Sequence, residues 1–61
     1  MKTNDEVRTD VQKLLKYCDW PHPVTRVEPI WYPDFNVYER RKDGTETLLG
    51  VWNAERKEFT K

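Results

Sequence analysis

Cys18 and His22 are the chain's only thiol and only imidazole, and they stand four residues apart in "CDWPH". Such a pair could serve as nucleophile and base, the imidazole taking the thiol proton. Asp19 lies between them, so the same segment offers three types of metal ligand. A structural zinc site asks for four ligands, usually as two spaced pairs. Asp34 would make a fourth, but no pattern in the chain brings it to the others. The simpler reading has more weight. Cys18 continues an apolar helical stripe, where a free cysteine behaves as a small buried hydrophobe. His22, between two prolines, reads as an exposed loop residue.

Other chemistries fail on composition. Serine is absent, which removes any Ser-His-Asp triad. The only glycines are Gly44 and Gly50, so neither a P-loop nor a dinucleotide fingerprint can be written. Carboxylates are too numerous for any pair of them to single out glycosidase chemistry. The expectation is a non-enzymatic chain with no catalytic residue, no cofactor and no metal.

The elements that must carry any function begin with a helix over about 4–19. Thr3 and Glu6 have capping-box spacing, and Asp5 and Glu6 put negative charge in the first turn. Val7, Val11, Leu14, Leu15 and Cys18 recur at helical period as one apolar stripe. Pro21 and Pro23 stop the helix and stiffen the connector. Residues 24–31 read as an edge strand, because Pro29 cannot donate to a ladder. "YPDF" suits a type I turn with proline second.

Strands at 35–41 and 45–53 flank Asp43-Gly44. A three-residue loop, Lys42 to Gly44, pairs Arg41 with Thr45 and sets Arg40 opposite Glu46. It groups Phe35, Val37, Leu49 and Val51 on one face, with Tyr38, Leu48 and Trp52 on the other. A two-residue loop would instead group Phe35, Val37, Leu48 and Trp52, because a one-residue slip exchanges faces. The first register is preferred. Residues 57–60 read as a short last strand rather than a final helical turn. The predicted fold class is α+β: one N-terminal amphipathic helix packed on a three- to four-stranded antiparallel meander sheet, in one domain over 1–61.

Eleven basic and eleven acidic side chains balance to zero net charge, so no global field steers the chain toward nucleic acid or membranes. Apolar content is 36%, but eight of those side chains are aromatic, enough to build a small core. A single cysteine, no apolar run at the N-terminus and no glycosylation acceptor point to the cytoplasm.

One helix covers one sheet face. The other face retains apolar side chains, and such a patch marks an interaction site. The expected function is docking on a protein partner of unknown identity, or self-association as a homodimer, through the sheet face or edge opposite the helix. Tyr38, Leu48, Trp52, Trp31 and Arg40 are the expected contact residues. The alternative is nucleic-acid binding by Arg40, Arg41 and Lys42 at the hairpin tip, with sheet aromatics stacking bases. No membrane partner is expected.

Overall fold

The structure, a computed structural model, describes residues 1–60. The expected domain end at residue 61 therefore lies outside the described residues. Helix α1 (Asn4–Tyr17) precedes strands β1 (Val24–Trp31), β2 (Asp34–Arg40), β3 (Glu46–Asn53) and β4 (Glu58–Phe59). The strands form one antiparallel meander in sequence order, with the helix on one face. This is the expected α+β arrangement, and the tail supplies the short fourth strand.

Thr3 caps α1. Its hydroxyl accepts from the Glu6 amide at 3.2 Å, and the Glu6 carboxylate accepts from the Thr3 amide at 3.2 Å. The far end closes two residues earlier than expected. The Trp20 amide donates back to Leu15 O at 2.9 Å and the Asp19 amide to Lys16 O at 3.1 Å. Asp19 takes the left-handed conformation, φ 55°. This is the Schellman ending, in which glycine is the usual left-handed residue. Asp19→Gly should therefore raise stability, by roughly 0.5 kcal/mol once glycine's extra unfolded-state freedom is set against the relieved strain. A urea titration checks the direction.

The hairpin turns as the preferred register requires. The Arg41 amide donates to Thr45 O at 2.8 Å, Gly44 adopts φ +88°, and Arg40 pairs with Glu46. Tyr38 then pairs with Leu48, but Val37 pairs with Gly50 and Phe35 with Trp52. Leu49 is an extra residue, a β-bulge beside the flexible Gly50. The bulge reverses the alternation, which corrects two expectations. Trp52 lies on the helix face and is 1% exposed, and Val51 goes to the reverse face. The indole buries far more surface than a valine could. At the first turn, Trp31 pairs with Asp34, so Pro33 is third rather than second and follows a cis peptide. That proline position belongs to a type VI turn, not the expected type I.

The core comprises Val7, Val11, Val24, Val27, Phe35, Val37, Trp52 and Ala54. The helix lies closest to β1, so its stripe is only partly covered. Leu14 stays 36% exposed and Cys18 is exposed, contrary to the expected burial of both.

Candidate functional site

Because α1 sits toward β1, its other flank stands clear of β3 and β4. The Schellman ending folds Trp20 back beside Leu15, and the bulge turns Leu49 to the helix side. Phe59 on β4 packs edge-on against Trp52, with ring centroids 5.0 Å apart. Leu14, Leu15, Cys18, Trp20, Leu49 and Phe59 together line a trough of about 310 Å³. The side chains of these residues are carbon and sulfur except for the indole N–H of Trp20. That donor is already engaged, bonding Glu39 Oε1 at 2.7 Å. The volume reaches only the lower bound of small-ligand pockets, and the exposed Leu14, Cys18 and Trp20 leave it open to solvent.

Glu39 is the one buried charged side chain among the described residues, at 0% exposure. Strand alternation places it on the helix face behind Phe35 and Val37. Arg41 Nη2 stands 2.9 Å from Oε2, an ion-pair contact too oblique to count as a hydrogen bond. Arg41 also donates to Thr47 Oγ1 at 3.3 Å and approaches His22 Nε2 at 3.5 Å. The His22 ring meets Trp20 edge-on at 5.9 Å. Glu39 thus fixes the indole that walls the trough. Sequence reasoning did not single out Glu39. The available signal was a carboxylate in phase with two apolar residues.

The reverse face differs from the expected open patch. Arg26 covers Tyr38, its guanidinium carbon 4.0 Å from the ring centroid. Arg26 pairs with Glu46 at 2.9 Å and Glu28 at 3.1 Å, and Thr25 donates to Glu46 at 2.7 Å. Of the expected contact residues, Tyr38 is therefore roofed and Trp52 is in the core. Leu48, Trp31 and Arg40 are exposed. At the tip, Arg41 turns to Glu39, and Lys42 stays exposed in the turn. Cys18 and His22 share no hydrogen bond among the described residues; Cys18 faces the trough and His22 faces Arg41. No three His, Cys, Asp or Glu side chains among the described residues group as a metal site. No described helix is long and apolar enough to cross a membrane.

Surface pairs make stability depend on pH at both extremes. The bond from Lys2 holds the Asp10 carboxyl below its usual range, Thr45 does the same for Asp43, and Thr25 followed by Arg26 for Glu46. A carboxyl whose folded pKa is depressed contributes stability above its unfolded pKa and loses it as pH falls through the folded one. Asp10 in turn raises the pKa of Lys2, and the bond to Glu55 raises that of Tyr32. Their contributions are present below the unfolded values and vanish as pH rises through the folded ones. The urea midpoint should be flat between roughly pH 6 and 9, falling below about pH 4 and above about pH 10.

Comparison with protein-family models, with curated proteins and with solved structures finds no match to the chain.

Proposed function

We propose that this chain works by binding rather than by chemistry, docking on a protein partner in the cytoplasm. The observation that carries this reading is the trough. Leu14, Leu49, Phe59 and Trp20 are core-type side chains, yet they surround an open depression at the helix flank. Aromatic and aliphatic anchors around a concave apolar surface are the usual centre of a protein interface. The docking surface thus lies beside the helix, and the Arg26 roof over Tyr38 makes the reverse face the weaker candidate. The lone cysteine, with no partner for a disulfide in the chain, supports the compartment.

Cys18 provides the test. Labelled with a thiol-reactive photo-crosslinker, it places the reactive group in the trough. Crosslinks to a distinct protein should form in extract and disappear with excess unlabelled chain, but persist with excess Leu14→Lys competitor. A label at Trp31→Cys in a Cys18→Ala background serves as the control. Equal crosslinking from both positions would sink the proposal. A crosslinked species of twice the chain mass, matched by sedimentation, would identify the homodimer instead.

The nucleic-acid alternative has less support. Arg41 is committed to Glu39, Tyr38 is capped and Trp52 is buried, which leaves Arg40 and Lys42 as the tip cations without an ion pair among the described residues. Strong heparin retention that collapses with salt would favour it.

A further inference from the structure

We infer that the trough and the adjoining edge of β3 form one receptor for an extended peptide segment of the partner. The peptide is added as a strand antiparallel to β3, with apolar residues at alternate positions and carboxylates at its C-terminal end. This deepens the docking reading above and rests on it.

The two outer edges of the sheet are treated differently. On β1, Pro29 lacks a donor and the pairing is irregular on both sides of the strand's middle. Proline and irregular pairing are devices that blunt an edge against added strands. On β3, β4 pairs only with Trp52 and Asn53, and the Thr60 amide reaches Val51 O. Among the described residues, the run Glu46–Gly50 has no strand on that side. It contains no proline, lysine or arginine. Its one irregularity, the bulge, brings Leu49 to the trough.

An incoming strand in line with β4 would meet this free run. Its main chain would bond the open edge, and every second side chain would project to the helix face. There the trough waits between Leu49 and the helix residues Leu14 and Cys18. The intervening side chains would lie beside Leu48, which is 54% exposed. Since β3 runs away from the hairpin tip, an antiparallel strand ends at the tip. Glu46 is held there by Arg26 and Thr25, and Asp43 by Thr45. Arg40 and Lys42 make no ion pair among the described residues. Carboxylates at the peptide's C-terminal end would satisfy them.

The test probe is a short capped peptide of alternating threonine and valine ending in two glutamates. Added to the intact chain, it should shift the Leu48–Gly50 amides and the Trp20 indole, and slow hydrogen exchange at the edge. Proline at the peptide's centre should weaken binding at least tenfold, by about the factor that one lost ladder bond and its clash imply. Lysines in place of the glutamates, or Lys42→Glu in the protein, should each weaken it roughly threefold. Leu14→Lys, on the open flank, should weaken it about tenfold with the far-UV spectrum unchanged. Equal binding of the proline peptide, or shifts confined to Arg40–Lys42, would overturn strand addition. So would absence of any shift at about 1 mM peptide, a millimolar Kd being the weakest recognition worth the name. A dimer that the peptide cannot compete away would assign the edge to a second copy. Failure here with the Cys18 crosslink intact removes only the strand mode; failure of both removes the docking reading.

Discussion

Replacing Trp52 with alanine is expected to unfold most of the protein in plain buffer. The indole is the largest buried side chain, opposite Phe35 on the sheet and edge-on to Phe59. Truncating a buried tryptophan costs roughly 3–5 kcal/mol. A chain of this length has only about 3–9 kcal/mol of stability in all. The deletion therefore consumes most or all of it, and far-UV ellipticity and amide dispersion should collapse together. Trp31→Ala is the internal control. At 83% exposure that side chain contributes little, and the change should stay within about 0.5 kcal/mol. Trp52→Phe separates two effects at the same site. The Trp52 Nε1 is buried without a partner, so phenylalanine loses packing area but also removes an unpaired donor. Its cost should be below about 1.5 kcal/mol, because a buried unmade hydrogen bond is itself worth 1–3. A Trp52→Ala variant that still unfolds cooperatively, with Trp31→Ala the more damaging of the two, would mean the bulge places the strand the other way round.

That reversal marks where the sequence stops being legible. The helix, its cap, the hairpin loop and the strand bounds rest on local chemistry: Thr3 with Glu6, the two prolines after the helix, and Gly44 at positive φ. Such signals are readable because the cause lies within a few residues of the effect. Trp52 was assigned the wrong face because one extra residue, Leu49, inverts everything beyond it. A glycine inside a strand, such as Gly50, is compatible with a bulge but does not locate one. Leu14 and Cys18 failed for another reason. Periodicity says which flank of a helix is apolar, not where that helix rests across the sheet. The trough exists because the helix rests off-centre, toward β1. Glu39 was readable as an inward position, whereas its bond to Trp20 depends on the chain reversing after the helix and returning across nineteen residues.

The Glu39 cluster yields the second large effect, and its asymmetry is the test. Removing Arg41 leaves a carboxylate at zero exposure with only the indole N–H for company. Breaking a buried ion pair from one side costs 3–5 kcal/mol, and the 48% exposure of Arg41 puts this case at the low end, about 3. Removing Glu39 instead is cheap. In Glu39→Leu the guanidinium can turn to water, Trp20 Nε1 can reach solvent at the trough wall, and the leucine fills apolar space, so the loss should be under about 1 kcal/mol. The double variant Glu39→Leu with Arg41→Ala should then be more stable than Arg41→Ala alone, by about 2 kcal/mol. Additive losses in urea titrations of the three variants would show that the carboxylate does not depend on its partner. The same series links stability to binding. Glu39→Leu frees Trp20 from its anchor, so the trough loses a fixed wall while the fold persists. Binding through the trough should weaken in that variant although its urea midpoint barely moves, and a wall that ordered itself without Glu39 would leave both unchanged.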